Sequence, residues 1–176
     1  AIVGTVSGTS ISFGSELQFN VLATENIACS FDTSSNKVVI AYTDDGNSGA
    51  GTAIVGTVSG TSISYGSPSV FDAKCAGTSV VYNPAANKTV ISYYDTGNSS
   101  YGTLVVATVS GTSISFDTPV VFNEADTGDF VGSAYDSTTK QVVLAYEGAE
   151  SRVFRAAYNE PNLTAENFIG FANGAA

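Results

Sequence analysis

AIVGTVSGTSISFG at residues 1–14 returns as AIVGTVSGTSISYG at 53–66 and as LVVATVSGTSISFD at 104–117, at offsets of 52 and then 51 residues. Self-similarity at a fixed period decides the architecture before any local assignment, because each copy must fold in the same way. A second block follows each copy: NKVVIAYTDDGNS from Asn36, NKTVISYYDTGNSS from Asn87 and KQVVLAYEGAE from Lys140. Between the blocks lie CSFDTSSNK (29–37), SVVYNPAANK (79–88) and SAYDSTTKQ (133–141).

Each copy reads as four short strands. AIVGTV is apolar and β-branched, SGTS makes a tight turn into ISFG, and the chain extends to a Phe at 19, 71 or 122. The third strand ends at Phe31-Asp32, Tyr82-Asn83 or Tyr135-Asp136, where the Asp or Asn opens a hairpin by accepting hydrogen bonds from its own backbone. The fourth, VVIAY, TVISY or VVLAY, leads through a Gly/Asn loop into the next copy. No stretch sustains a 3.6-residue period, so the chain is expected to be all-β.

Four strands in every 51 or 52 residues matches the blade of a β-propeller, whose kelch-type blades run to about 50 residues. Tandem β-sandwiches or other repeated-sheet modules are the alternative, with a fibrous β-solenoid behind them. The copies are divided as 1–52, 53–103 and 104–150, and 151–176 is read as a partial fourth unit with an atypical C-terminal segment. Propellers close with four to eight blades, so three copies do not make a ring. Ala1 also falls inside a copy, since Gly51-Thr52 and Gly102-Thr103 precede its equivalents. The expectation is a segment of a longer repeat protein, or a protomer whose open faces pair with a neighbour. Strand donation by RVFRAAY (152–158) is one way to cover an edge.

Twelve of the 19 aromatic residues fall on four equivalent positions: Phe13, Tyr65 and Phe116; Phe19, Phe71 and Phe122; Phe31, Tyr82 and Tyr135; Tyr42, Tyr93 and Tyr146. A ring that recurs whatever the adjoining loop is expected to be core, each burying about 150–250 Å².

Composition removes several functions. The 176 residues contain no His, Met or Trp, which eliminates the commonest general base and the Ser-His and Cys-His nucleophile pairs. Six Lys+Arg against 16 Asp+Glu, a net charge of −10, is the wrong balance for tracking a nucleic-acid backbone. No apolar run approaches the roughly 20 residues of a membrane-spanning helix. Cys29 and Cys75 lie outside any metal-ligand spacing and are expected to be small buried side chains. The Ser/Thr/Asn/Gly-rich surface suggests a virion or extracellular setting.

The repeated AIVGTVSGTSIS(F/Y)G block with its KVVIAYTD companion resembles repeats of long structural proteins of environmental tailed phages, in tail, neck or fibre components. LTAENFIGFA (163–172) is similar to the opening of a further short β-module in such proteins, although NFIGFANGAA ends where that module would begin. The resemblance implies a non-enzymatic structural component of a virion with some part in host-surface adhesion, and it brings no catalytic residues. Its partners would be copies of itself or other virion proteins, and host-surface glycans. The rival expectation is a secreted carbohydrate-binding or bacterial surface-adhesion module.

Binding chemistry is sought where the repeat is broken. Tyr94 and Tyr101 stand where the first copy has Thr43 and Ala50, and they flank Asp95, Asn98 and Ser99. An aromatic ring on a pyranose face with Asp, Asn and Ser on the hydroxyls is sugar-site chemistry, so these five are the candidate ligand-binding residues. Asp44, Asp45 and Asn47, with Asp95 and Asn98, are oxygen donors on Gly-containing turns and raise calcium as a cofactor, but the ligand series is short and EGAE (147–150) loses the pattern. Structural turns account for these loops without a metal, and no cofactor is expected. Three Asn-x-Ser/Thr sequons, at Asn87, Asn98 and Asn162, matter only if the source glycosylates secreted proteins.

Overall fold

The computed structural model describes residues 1–128 and 131–147, and the backbone of two strands at 152–156 and 168–169. The described residues are β throughout, with one 3₁₀ turn at Asp45–Asn47 and no α-helix. An isolated hairpin, β1 (Gly4–Ser7) and β2 (Ser10–Phe13), comes first. The first sheet runs β3 (Thr24–Asp32), β4 (Lys37–Asp44) and β5 (Ala50–Ser59). Its outer edge is divided between β6 (Ser62–Tyr65), on the second half of β5, and β7 (Ser69–Asp72), on the first half. The second sheet repeats this with β8 (Cys75–Asn83), β9 (Lys88–Asp95), β10 (Tyr101–Ser110), β11 (Ser113–Phe116) and β12 (Val120–Asp126). The third is β13 (Val131–Asp136), β14 (Gln141–Tyr146), β15 (Arg152–Ala156) and β16 (Phe168–Ile169). Among the described residues all neighbouring strands are antiparallel, and no sheet closes into a barrel.

The turns follow from their residues. Gly8, Gly60 and Gly111 take φ of 61°, 60° and 62° at the first position of two-residue hairpins, where a II′-type turn requires glycine. At the longer hairpins Asp32 accepts the Ser34 and Ser35 N–H groups at 2.9 and 3.1 Å, Asn83 those of Ala85 and Ala86, and Asp136 those of Thr138 and Thr139. The expected backbone cap is thus made at all three.

The sheets are phased differently from the sequence copies: the joins at 52/53 and 103/104 fall inside β5 and β10, and the first sheet runs from Thr24 to Asp72. Its strands are apolar on both faces, so both must be covered. Val39, Ala41, Ala53 and Val55 on one face of the first sheet pack on Val80, Ile91, Tyr93, Val105 and Ala107 of the second. The opposite face of the second sheet, with Val81, Val90, Leu104 and Val106, packs on Val142 and Leu144 of the third. Consecutive first strands lie together: the Tyr82 N–H donates to Ser30 Oγ at 3.1 Å, the Thr78 hydroxyl donates to the Asn26 carbonyl, and Ser79 and Ser133 hydroxyls meet at 2.8 Å. The same joint is therefore made twice, each sheet seating one face on the opposite face of the next.

Three expectations are corrected or fall outside this picture. Phe13 and Phe31, expected in the core, are 59% and 49% exposed, because no full sheet precedes the first one. Cys29 is exposed for the same reason, while Cys75 is buried, and both are free thiols. LTAENFIGFA lies outside the described residues apart from the backbone of Phe168–Ile169.

Gly51 and Gly102 hold a joint in place. A Cβ on Gly51 would stand 2.4 Å from the Phe71 ring and 2.8 Å from Cys75 Sγ, and one on Gly102 would stand 2.5 Å from Phe122 and 2.7 Å from Thr127 Oγ1. Gly51→Ala and Gly102→Ala are each expected to lose about 1–3 kcal/mol to overpacking. Gly132→Ala, whose Cβ would meet only the Ala145 carbonyl at 3.8 Å, is expected to be neutral or slightly stabilising, and urea titrations of the three variants measure the difference.

Candidate functional site

One arrangement recurs at the β4–β5 end of the sheets. A Phe packs on the Tyr of a sheet's second strand: Phe19, from the segment ahead of β3, on Tyr42 at 5.1 Å, and Phe71 of β7 and Phe122 of β12, each from the outer edge of the preceding sheet, on Tyr93 and Tyr146 at 5.2 Å, with interplanar angles of 56° or 57°. The residue after the Phe is Asn20, Asp72 or Asn123, and each makes a side-chain hydrogen bond. Asn20 Nδ2 donates to Asp44 Oδ1 at 3.0 Å, and Asn123 Nδ2 donates to Thr127 Oγ1 at 3.2 Å.

Where the first sheet meets the second, this position is Asp72, the last residue of β7. Tyr93 donates its hydroxyl proton to Asp72 Oδ2 at 2.7 Å, and the Lys74 N–H donates to Oδ1 at 2.9 Å. Lys74 then reaches back to the first sheet, where Nζ donates to the Ser48 carbonyl at 2.7 Å. Cys75 lies beside it, its carbonyl accepting from the Thr43 hydroxyl at 3.2 Å and its Sγ 3.8 Å from the same oxygen. Burial, with the charges of Asp72 and Asp95 adding to it, pushes the Cys75 thiol up to about 12, so it stays protonated and unreactive. Burial and the Asp72 hydrogen bond push the Tyr93 hydroxyl upward as well. Tyr42, buried near Asp44, is pushed up to about 12.

Above this base is the turn that carries the candidate sugar-binding residues. Tyr94 and Asp95 end β9, and Tyr101 opens β10. Tyr101 is directly opposite Asp95, and Gly102 is opposite Tyr94. Directly opposed residues share a face and successive ones alternate, so Tyr101 and Asp95 face one side and Tyr94 the other. Asp95 and Tyr101 therefore share a face, with Asn98 and Ser99 in the turn between them, while Tyr94 lies on the other face. The turn is tied by its own backbone: Asp95 Oδ1 accepts the Gly97 N–H at 2.8 Å, the Asp95 carbonyl accepts from Asn98 and Ser100 at 3.0 and 2.9 Å, and the Tyr101 N–H donates to the Asn98 carbonyl at 3.0 Å. Ser99 and Ser100 take left-handed φ of 56° and 57° to complete it. Asn98 and Ser99 are exposed, and Tyr101 is half-buried.

Among the described residues no three acidic or cysteine side chains converge to hold a metal ion, and Asp44, one of the calcium candidates, is engaged by Asn20. The Asp72–Tyr93 pair lies outside the loops that carry the candidate residues. Its signal in the sequence is the equivalent dipeptides Phe19-Asn20, Phe71-Asp72 and Phe122-Asn123, of which only the second carries a charge.

Asp95 is held above its ordinary value first by burial and then by the charge of Asp72, against the opposing Gly97 and Asn98 N–H groups. The native state thus takes up this proton more readily than the unfolded chain. An ionised Asp95 costs stability at neutral pH, and the cost is relieved as pH falls through its raised native value toward 3.8. Asp95→Asn keeps an acceptor for Gly97. It is expected to match or exceed the parent's urea midpoint at pH 7 and to lose this part of the gain on acidification.

Neither protein-family models, nor curated proteins, nor solved structures match this chain.

Proposed function

We propose that this chain is a non-enzymatic structural component of a phage virion, a tail, neck or fibre protein built of propeller-like blades, and that it contributes to host-surface adhesion. The observation that carries the reading is the stack itself: copied sheets, apolar on both faces, joined twice by the same face-to-face contact. Strands in consecutive radial order with neighbouring first strands is the way a propeller nests its blades, and the resemblance of the repeats to tailed-phage structural proteins supports the virion setting. Such a unit is lengthened by copying, which suits a part that spans distance or fills a collar. A surface with few cations and many hydroxyl and amide groups suits exposure outside a cell.

Antibodies against the purified chain are expected to decorate intact phage particles from a host culture carrying the gene, by immunogold microscopy. Label on the bacterial surface with bare particles would overturn the virion reading.

A secreted carbohydrate-binding or surface-adhesion module is the second reading, favoured by Tyr101 and Asp95 opposed on one face at the turn that carries exposed Asn98 and Ser99. On that reading Tyr101→Ala abolishes binding to a glycan that the parent retains on an array, and unchanged binding by the variant removes it.

A further inference from the structure

Asp72 and Asp95 stand where an equivalent place in the chain has a hydrogen-bonded pair. There the Leu22 N–H donates to Asn20 Oδ1 at 3.2 Å, and Asn20 Nδ2 donates to Asp44 Oδ1 at 3.0 Å, which ties the segment before β3 to the end of β4. Where the first sheet meets the second, the Lys74 N–H donates to Asp72 Oδ1 at 2.9 Å in the same way, and Asp95 ends β9 as Asp44 ends β4. The surroundings match as well: a Cβ on Gly46 would stand 2.3 Å from Leu22, and one on Gly97 would stand 3.2 Å from the Lys74 side chain.

What changes is the charge. A carboxylate oxygen of Asp72 takes the place of the amide donor of Asn20, so the contact with the aspartate at the strand end has lost its proton. The next copy does not repeat this, since Asn123 follows Phe122 and Glu147-Gly148 follows Tyr146. Two carboxylates therefore share one space at a single joint of the stack.

The groups around them are few. The Lys74 ammonium is engaged by the Ser48 carbonyl at 2.7 Å. From β9, Tyr93 donates its hydroxyl to Asp72 Oδ2 at 2.7 Å; from β8, Cys75 is opposite Asp95. On the other side of Asp95 lies Tyr101 of β10, with Asp126 of β12 opposite that tyrosine in turn. Both aspartates are half-buried, and burial followed by the charge of Asp72 raises Asp95 against the pull of the Gly97 and Asn98 N–H groups. Two like charges in a partly desolvated space hold a proton between them more readily than either does alone. Among the described residues no third acidic or cysteine side chain joins them to hold a metal ion.

We propose that Asp72 and Asp95 form an acid-operated latch, in which one proton carried by Asp95 and donated to Asp72 fastens the turn at 96–100 to the outer edge of the first sheet. The proton comes from solvent, and the new O–H···O⁻ bond leaves one negative charge on the pair. With both groups ionised the pair repels, and the turn is held by its own backbone and by the Lys74 stem. Because the native value of Asp95 is raised, the latch is complete below 3.8 and is lost as pH rises through that raised value. Acid therefore sets the turn that presents Asn98 and Ser99 more firmly, whatever that turn meets.

Hydrogen exchange, corrected for the intrinsic pH dependence of amide exchange, reads the latch directly. Between pH 7 and pH 4 the Asn98 and Ser100 amides, both donors to the Asp95 carbonyl, are expected to gain protection severalfold. The Gly49 amide, which donates to the Asp44 carbonyl in the equivalent turn, is expected to stay level. Asp72→Asn rebuilds the Asn20 pairing, so it should show the acid level of protection already at pH 7 and move the Asp95 carboxyl titration downward by NMR. Asn20→Asp, the reciprocal change, should carry the acid response to Gly49. A parent in which Asn98 and Ser100 do not respond to acid, or an Asp72→Asn variant that responds as the parent does, overturns the proposal. If Asp72→Asn does not fold, Asn20→Asp decides, and an unresponsive Gly49 in that variant overturns it.

Discussion

A sheet with no polar face cannot stand alone, and every other feature of this molecule follows from that constraint. In β4 the side chains of Val38, Ile40 and Tyr42 point one way and those of Val39 and Ala41 the other, and both sets are buried or nearly so. An ordinary antiparallel sheet keeps one face for water and alternates accordingly. Here each sheet must be covered twice, which leaves stacking as the arrangement that uses one design throughout. At about 25 cal/mol per Å² of apolar surface, the two joints supply the driving force that the few charges and hydrogen bonds between sheets do not.

The two faces of a sheet do different work. At the first joint one face brings Ala41 and Ala53 with Val39 and Val55, and the other brings Ile91, Tyr93 and Val105; at the second, Val81, Val90, Leu104 and Val106 meet Val142 and Leu144. Each joint sets one face against the opposite face of the next sheet, which makes it directional. The joint also explains why Gly51 and Gly102 recur where the Phe ring enters, since the ring takes the volume that a Cβ would occupy.

Most of the architecture was legible in the sequence because the same information is written three times. The hairpin caps at Asp32, Asn83 and Asp136, and the glycine turns, were readable from residue type alone, since their chemistry is local. The phase of the sheets was not, because a period of 51 or 52 says how long a unit is and nothing about where to cut it. Phe13, Phe31 and Cys29 were misread as buried for a related reason: equivalence of sequence implies equivalence of burial only where the neighbouring sheet is also present. At the candidate site, proximity along the chain brought Tyr94 and Tyr101 together on paper. The alternation of a strand put them on opposite sides, and the buried Asp72–Tyr93 contact lay in parts of the sequence that had been assigned to packing.

The divided outer edge bears on a hazard that copied strands bring with them. Many near-identical segments rich in Val, Ile and Thr are candidates for uncontrolled lateral association into fibrils. The exposed rim of the first and second sheets is made of two short strands interrupted by Gly66-Ser67-Pro68 and by Asp117-Thr118-Pro119, and a proline offers no N–H to a neighbouring chain. A chain approaching that rim therefore meets a broken ladder, so the apolar strands that build the stack are not offered to a neighbour as one continuous edge.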